Sequence, residues 1–388
     1  MRWASAASSL AGCAAAAAEA AAAIRTELGE GAVDLCLAFL PTAHVGAAEA
    51  IAAALRDALA PACLAGASAR GTVAGGLEIE QGGTLSVIAA RLPGVEVKPF
   101  LLTADTWHEP AADEAEFDLR APGARGAELV LMMGDPFTLD VERVLAAFNR
   151  FAPGVPVVGG MASAAVRPGG NALFLNDWLD TGGAVAIALH GALRVDVVVS
   201  QGCAPIGPPL DVTHVEDNVI VTLDGQSALE RVEQVLRELP EEERGRLKRG
   251  LYVGRPARGG ATGRGDYLIR NLLGADPSRG VIAVGDVVHA REKIRLHVLD
   301  AATALADLEM LLSPQTVDSH AAAALLFVCN GRGAGLHGVA HRDASTLQDA
   351  LGGGVPAAGM FCAGEIGPVG GRNFLHGHTA SIAIVRAR

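Results

Sequence analysis

One pattern of segments recurs along this chain and restricts its fold more than any other feature. It consists of a strand, a loop, a helix, a turn rich in proline and glycine, and another strand. In the first copy, residues 33–40 form a continuous apolar run, Ile51, Leu55 and Leu59 recur every four residues, and residues 84–90 form the last strand. Such spacing predicts a helix with one apolar stripe between strands that are covered on both faces.

The pattern returns twice more. The second copy starts at Glu128 and ends in a strand at residues 184–189, and the third starts at residue 321 and ends in a strand at residues 379–385. In each copy a proline precedes a turn of small residues, at Pro156 and Pro356 in these two. Three copies indicate duplication of one α/β unit.

We therefore predict an α/β fold, with α+β as the alternative, in which mixed β-sheets are covered by helices. Between the second and third copies the pattern changes to a hairpin around residues 211–223 and an amphipathic helix at 227–239. A length of 388 residues suits two domains with a core each. The predicted division is a cover helix at 1–30, an N-terminal domain at 31–222 and a C-terminal domain at 223–388, the last two being related halves.

Composition excludes several functional classes. The formal net charge is −12, and no cluster of Lys and Arg is present, which argues against nucleic acid and anionic membranes as partners. The longest charge-free run, residues 3–18, is shorter than the roughly 20 apolar residues that span a bilayer. The six cysteines form no C-x-x-C pair, which fits a reducing cytoplasm. The glycine-rich stretch 259–265 lacks a G-K-S/T motif, so we predict no nucleotide there.

The stretch 359–388, GMFCAGEIGPVGGRNFLHGHTASIAIVRAR, has the composition of a ligand site. Glycines allow the backbone to approach a bound molecule closely, and few polar side chains remain to give specificity. Within it, G-E-I-G-P at residues 364–368 is followed by N-F-L-H-G-H-T at residues 373–379. These two motifs closely resemble the C-terminal signature of the FIST family. Members of this family are intracellular sensory modules found in bacterial signal-transduction proteins and in eukaryotic F-box proteins. An L-I-R-N stretch at residues 268–271 extends the resemblance over almost the whole chain.

The resemblance implies a cytoplasmic sensory module with a FIST N-like and a FIST C-like domain. It also implies an amino acid or related metabolite as ligand, and no F-box, kinase or other output domain is expected in the chain. Signalling would then pass to a separate protein partner through a shift between the halves. The predicted ligand-binding residues are Cys329, Asn330, Gly331, Arg332, Gly333, Gly364, Glu365, Asn373, His376 and His378, with the turns at Ser68, Gly159 and Gly160 closing the site.

The roles of these residues follow from their chemistry. Arg332 matches the geometry of a ligand carboxylate, unless it is a solvated arginine, and Glu365 would accept an ammonium group or else cap its own turn. Cys329 ends an apolar strand beside an arginine and a loop of backbone N–H groups, so it is either a reactive thiol or an inert core residue. His376 and His378, two apart at the start of a strand, would share one face, and we favour hydrogen bonding in a polar pocket over a metal pair.

An enzyme is the alternative function, with Cys329 or a histidine acting on a small carbonyl substrate. Ser68 in G-A-S-A-R lacks the second glycine of a nucleophile elbow and is predicted to be a turn residue. No acid/base pair, triad or metal set is recognisable in the sequence, so the balance is against an enzyme, and no metal or cofactor is predicted.

Overall fold

The computed structural model of the protein describes residues 1–257, 267–318 and 320–388, so the glycine-rich stretch 259–265 lies outside the described part. The chain forms two compact units that are not consecutive in sequence. The larger unit contains Met1–Val199, Leu308–Leu375 and Thr379–Arg388, and the smaller unit contains Ser200–Asp307 and His376–His378.

The first repeat of the larger unit covers the first 91 residues. Its elements are β1 (Arg2–Ser8), α1 (Cys13–Leu28), β2 (Val33–Pro41), a 3-10 turn (Thr42–Ala47), α2 (Ala48–Leu59), β3 (Pro61–Ala69), β4 (Thr72–Ala74), β5 (Leu77–Ile79) and β6 (Leu85–Arg91). The second repeat has the same order. Its elements are β7 (Val95–Leu102), α3 (Ala104–Trp107), α4 (Glu114–Arg120), β8 (Leu129–Gly134), α5 (Val141–Phe151), β9 (Val157–Met161), β10 (Leu173–Leu175), β11 (Trp178–Asp180) and β12 (Ala184–Gly191).

The third repeat is interrupted after its first strand, β13 (Leu193–Gln201), by the elements of the smaller unit. Those are β14 (Cys203–Glu216), β15 (Val219–Leu223), β16 (Gln226–Ser227), α6 (Ala228–Glu238), α7 (Glu241–Arg246), β17 (Leu251–Pro256), β18 (Tyr267–Asp276), β19 (Val281–Val284) and β20 (Lys293–Leu299). The repeat resumes with α8 (Ala301–Leu312), β21 (Ala323–Cys329), α9 (Gly333–His337), α10 (Arg342–Ala350), β22 (Ala357–Cys362), β23 (Glu365–Val369), β24 (Arg372–His376) and β25 (Thr379–Ala387).

Within the described residues each repeat builds one six-stranded sheet, and the three sheets have matching strand orders: β1-β6-β2-β3-β10-β11, β7-β12-β8-β9-β23-β24 and β13-β25-β21-β22-β4-β5. In each sheet the two strands that flank a helix are parallel, as β2 and β3, β8 and β9, and β21 and β22. The last two strands of every sheet form a hairpin that comes from a different repeat, which we call the exchanged hairpin. The hairpin of the first repeat joins the third sheet, that of the second joins the first, and that of the third joins the second.

The first parallel strand of each repeat is buried on both faces. Phe39, Met133 and Phe327 point, with their alternate neighbours, into one central core shared by the three sheets. The rings of Phe39 and Phe327 meet edge to face there, with centroids 6.0 Å apart. The opposite faces pack under helices: α1 and α2, α4 and α5, and α8 and α10 cover the three sheets in turn. This double burial explains why these strands are continuous apolar runs in the sequence.

The α/β class with mixed sheets and covering helices is confirmed. The three copies that the sequence predicted are also found, each as one sheet of the described chain, whereas a division into two related halves is not seen in the sheet orders. The cover helix predicted for residues 1–30 is shorter than expected. It occupies only Cys13–Leu28, because Arg2–Ser8 pairs antiparallel with β6 as an outer strand. Sheet pairing there overrides the helix propensity of alanine, and the serines favour a helix less than alanine does.

The smaller unit contains a seven-stranded sheet in its described part, with the order β14-β20-β17-β18-β19-β15-β16. The predicted hairpin is present as β14 and β15, with Asp217 in the left-handed region at φ +54°. The predicted helix is α6, which buries Val232 and Val235 against this sheet. No helix in the described part of the chain is long and apolar enough to cross a membrane.

Candidate functional site

The structure brings together the two loops that the sequence singled out. Because β21 and β22 are parallel, the loop after Cys329 and the loop after Cys362 start at the same edge of the third sheet. The backbone N–H of Asn330 donates to the carbonyl oxygen of Cys362 over 3.0 Å and ties the two strand ends together. Cys329, Asn330 and Gly331 are partly exposed, whereas Arg332 and Gly333 are buried. The loops therefore form a polar cluster that reaches solvent on one side.

Glu365 lies at the centre of this cluster with none of its surface exposed. Its Oε2 accepts hydrogen bonds from the backbone N–H of Thr379 (3.2 Å) and from Thr379 Oγ1 (2.8 Å). No N–H or O–H group of the described residues reaches Oε1. Burial raises the pKa of Glu365 to about 8, against smaller lowering effects of Thr379, of the Arg332 charge and of the Cys329 thiol. This carboxyl group is therefore largely protonated at neutral pH.

Glu365 also departs from the symmetry of the repeats. The second parallel strand of each repeat contains a glycine, and the residue after this glycine pairs with the first residue of the hairpin that comes from another repeat. The pairing residues are Ala67 in β3, Gly160 in β9 and Met360 in β22. The first residue of the hairpin is Thr72 in the first repeat, Leu173 in the second and Glu365 in the third. A neutral side chain occupies the position twice, so the fold does not require a carboxylate there.

Arg332 is not a solvated arginine, and most of its hydrogen-bonding capacity is used within the protein. Its Nε and Nη2 donate to the two carboxylate oxygens of Asp343 at 2.7 Å each, and neither side chain is exposed. The bidentate edge intended for a ligand is therefore occupied, and only Nη1 is left without a hydrogen-bond partner. Burial opposes the charge on both groups, but the ion pair prevails: it holds the pKa of Asp343 well below its usual range and that of Arg332 above. His337 Nε2 lies 3.2 Å from Asp343 Oδ1.

Two carboxylates from the exchanged hairpin of the first repeat complete the cluster. Glu78 Oε2 accepts from the backbone N–H groups of Asp343 (3.0 Å) and Ala344 (3.4 Å) at the start of α10. Burial, and then the charge of Asp343, raises the pKa of Glu78 to about 7. Glu80 Oε1 accepts from Ala334 N–H over 2.7 Å. Sequence reasoning missed both residues; the only signal was a carboxylate inside the strand pattern L-E-I-E.

Four buried polar atoms of this cluster have no hydrogen-bond partner in the described residues: Glu78 Oε1, Asn330 Oδ1, Arg332 Nη1 and Glu365 Oε1. The charge of Arg332 acts on both Glu78 and Glu365 and lowers the pKa of each carboxyl group. An unsatisfied buried polar group costs about 1–3 kcal/mol, so several in one place are unusual for a purely structural network. Together they offer one donor and three acceptors.

Gly333 and Gly364 take backbone conformations that favour glycine, with φ of +63° and +150°. A Cβ on Gly333 would contact the Glu80 carboxylate, at 2.6 Å from its Oε1. Gly160 pairs directly with Glu365 and Gly159 with Ile366, so these two glycines of the second repeat do lie beside the predicted residue. Ser68, whose Oγ accepts from Ala172 N–H at 2.9 Å, is a buried structural residue.

Asn373 lies in the larger unit, but its side chain holds strands together. Its Oδ1 accepts from Val157 N–H (2.8 Å) and its Nδ2 donates to the Val155 carbonyl oxygen (2.9 Å). These bonds use the groups that were predicted to face a ligand. Asn373 thus anchors β24 beside the second repeat.

His376 and His378 belong to the smaller unit, and they do not share a strand face as predicted. His376 ends β24, whereas His378 precedes β25 in the left-handed region at φ +60°. The turn between two strands breaks the alternation that the prediction assumed. The ring of His378 packs against Tyr252 with centroids 4.3 Å apart, and its Nε2 lies 3.4 Å from Asn271 Oδ1. Among the described residues no group of three or more His, Cys, Asp and Glu side chains is arranged to hold a metal ion.

Comparison with known families matches two adjoining domains along the sequence of this chain. The FIST N domain matches residues 34–226 and the FIST C domain matches residues 228–368. The chain therefore belongs to the FIST family, whose domains are recognised as sensory and signal-transduction modules.

The chain is similar to proteins of mycobacteria over nearly its full length. An uncharacterized protein of Mycobacterium tuberculosis is 39% identical over 373 residues, 95% of each chain. An uncharacterized protein of Mycobacterium bovis is 38% identical over 374 residues, again 95% of each chain. Among solved structures, cyanuric acid hydrolase from A. caulinodans aligns with 49% of this chain and 70% of its own, at 14% identity and a TM-score of 0.28. A similarity this low supports no argument about function.

Proposed function

We propose that this protein is a cytoplasmic sensory module that binds a small metabolite with a cationic amino group, an amino acid or a related compound. The observation that carries the proposal is the Glu365 carboxyl group, buried, half-satisfied and placed where the other repeats have Thr72 and Leu173. An ammonium group at Oε1 would supply both the missing hydrogen bond and the opposite charge.

The surrounding groups extend this recognition to the rest of an amino acid. Arg332 Nη1 remains as a charged donor for a ligand carboxylate, as one hydrogen bond in place of the bidentate clamp. Asn330 Oδ1 is a further acceptor at the partly exposed side of the cluster. The site would offer a carboxyl group for an ammonium ion and a guanidinium N–H for a carboxylate, which fits amino acids better than anionic or apolar metabolites.

Isothermal titration calorimetry across the amino acids and simple amines tests this function. Charged Glu365 is needed for binding, and with a pKa of about 8 it is about 90% protonated at pH 7. Binding should therefore release about 0.9 proton at pH 7, seen as a dependence of the heat on the ionisation enthalpy of the buffer. Affinity should rise about fivefold from pH 7 to pH 8 and then level off at higher pH, as the remaining Glu365 becomes ionised.

The matched controls are two glutamate-to-glutamine variants. Glu365→Gln should abolish both binding and proton release, whereas Glu49→Gln, at an exposed position of α2, should leave them unchanged. Equal binding by wild type and Glu365→Gln would refute the site. Failure of every amine to bind while a carboxylic acid binds would refute the ligand class.

We further propose that the ligand signal passes to a separate protein partner. Family membership supports signalling in general. A pull-down with immobilised protein, with and without the amine found by calorimetry, tests this step. A partner recovered in equal amount under both conditions would contradict ligand-dependent signalling.

Catalysis is a second candidate, supported by one observation: the Cys329 thiol interacts with the Glu365 carboxyl group, whose ionised form, a minority at neutral pH, could accept its proton. Gly331 N–H also donates to Cys329 Sγ over 3.4 Å, as expected for a stabilised thiolate. Iodoacetamide labelling followed by peptide mass mapping distinguishes the two functions. Rapid labelling of Cys329 that a carbonyl compound prevents would favour the enzyme, and slow labelling with intact amine binding would favour the sensor.

A further inference from the structure

Two cysteines lie opposite each other at the ends of β21 and β22. Cys329 and Cys362 are direct partners in the parallel ladder. Neighbouring strands are about 4.8 Å apart, within the Cα separation of roughly 4.4–6.8 Å found in disulfides. Phe327 and Met360, each two residues earlier, face the central core together with Cys362. Since side chains alternate along a strand, both thiols point to the same face. All six cysteines are reduced in this structure.

The surroundings give the two thiols different accessibility. Cys329 is partly exposed, so an oxidant can reach it, and its sulfur accepts a hydrogen bond from Gly331 N–H and interacts with Arg332 and with the Glu365 carboxyl group. Cys362 is fully buried, and burial, followed by the charges of Glu365 and Cys329, raises the pKa of its thiol well above the usual value. Space for its sulfur depends on Gly160, where a Cβ would overlap Cys362 Sγ.

We propose that Cys329 and Cys362 form a reversible disulfide when the protein meets a hydroperoxide. The Cys329 thiolate attacks one peroxide oxygen, the O–O bond breaks, and the leaving hydroxide takes a proton to become water. The sulfur of Cys362 then attacks the sulfenic sulfur of Cys329; the S–S bond forms, the S–O bond breaks, and the released hydroxide takes up the thiol proton of Cys362 to give a second water. Two thiols are oxidised while one hydrogen peroxide is reduced to two waters.

The first repeat contains an internal control for this reaction. Cys36 and Cys63 also lie on neighbouring parallel strands, but Cys63 pairs with Leu35 and Cys36 with Leu64, so they are offset by one residue. Their side chains therefore face opposite sides of the sheet, Cys63 toward the central core and Cys36 toward the helices. Oxidation of folded protein should not join them, although both strands pack as closely as β21 and β22.

The experiment treats the full chain with hydrogen peroxide, blocks remaining thiols with N-ethylmaleimide after denaturation, and maps peptides by mass spectrometry. We expect a cross-linked pair of peptides containing Cys329 and Cys362, lost on addition of dithiothreitol and at least about tenfold more abundant than any Cys36–Cys63 pair. In Cys362→Ser the reaction should stop at oxidised Cys329. In Cys329→Ser, Cys362 should remain a thiol.

Several outcomes would overturn the proposal. Cys329 oxidised to sulfinic acid in the wild type with no cross-link would show that Cys362 does not resolve it. Equal amounts of the Cys36–Cys63 pair would show that oxidation follows unfolding, and a cross-link between two chains would assign the reaction to a surface thiol. Tryptophan fluorescence before and after treatment reports whether the larger unit stays folded, because Trp3, Trp107 and Trp178 all lie in it. The result does not depend on amine binding, since no ligand is added.

Discussion

Replacing Glu365 by glutamine measures the energetic consequence of burying one carboxyl group. In the folded protein its pKa is about 8, and in the unfolded chain it has the ordinary value of 4.5. The folded state therefore binds this proton more tightly, and between pH 4.5 and pH 8 it holds a proton that the unfolded chain has lost. Stability is unaffected below pH 4.5 and is lost as pH rises through this window.

The size of the effect follows from the width of the window. A difference of about 3.5 pH units corresponds to a total loss of about 5 kcal/mol at high pH. Most of it falls in an accessible range: the loss amounts to about 1 kcal/mol at pH 5.5 and about 5 kcal/mol at pH 9. Glutamine is neutral at every pH and keeps an oxygen that can accept from Thr379. We therefore expect Glu365→Gln to match the wild type near pH 5 and to exceed its stability by several kcal/mol at pH 9.

Urea unfolding followed by tryptophan fluorescence is the appropriate assay, because the three tryptophans report the larger unit, which contains Glu365. Glu78 titrates in both proteins, so its contribution cancels in the difference. Glu49→Gln provides a matched exposed control and should give a curve parallel to that of the wild type. If the curves of wild type and Glu365→Gln are also parallel from pH 5.5 to pH 9, the carboxyl group is not held in the neutral form, and the reasoning fails.

Three further substitutions test the framework around Glu365. Gly359→Ala would place a Cβ against the carbonyl oxygen of Leu326 on the adjacent strand, so we expect a loss of at least about 3 kcal/mol in the free energy of unfolding, measured in urea. The control is Gly335→Ala, which has open space around it, and equal stability of the two variants would contradict the close approach. Asp343→Asn leaves the buried Arg332 charge without its partner and should lower the free energy of unfolding by roughly 3–5 kcal/mol. Asp349→Asn, on the exposed face of α10, should lower it by less than about 0.5 kcal/mol. A mild effect of Asp343→Asn would mean that Arg332 reaches solvent. Thr379→Val removes the hydroxyl that donates to Glu365 Oε2 and lowers the pKa of this carboxyl group, so the pH at which stability stops falling should move upward. An unchanged pH profile in the same unfolding series would rule out this hydrogen bond.

The sequence predicted well those features that depend on local periodicity. Double burial makes β2, β8 and β21 apolar throughout, and the proline before β9 and β22 marks the start of the second parallel strand, so the repeats were visible without coordinates. The Cys329 and Glu365 loops were predicted to meet on composition and family resemblance alone; the structure supplies the reason, because the parallel strands β21 and β22 end at one edge of the sheet.

The remaining features depend on pairings between distant segments, which periodicity does not encode. Glu78 reaches Asp343 across 265 positions of sequence because a hairpin of one repeat joins the sheet of another. Arg332 was predicted as a ligand clamp because the sequence pattern does not reveal its buried ion pair with Asp343. Asn373 likewise resembled a pocket residue until its partners in the second repeat were known.

The circular exchange of hairpins has a consequence for how the chain matures during synthesis. Val73 in β4 pairs with Gly359 in β22, so the strand edge presented by the first hairpin has no mate until nearly three hundred more residues have left the ribosome. The nascent protein must therefore carry this unpaired strand edge through most of translation, and the third sheet is completed only near the end of synthesis.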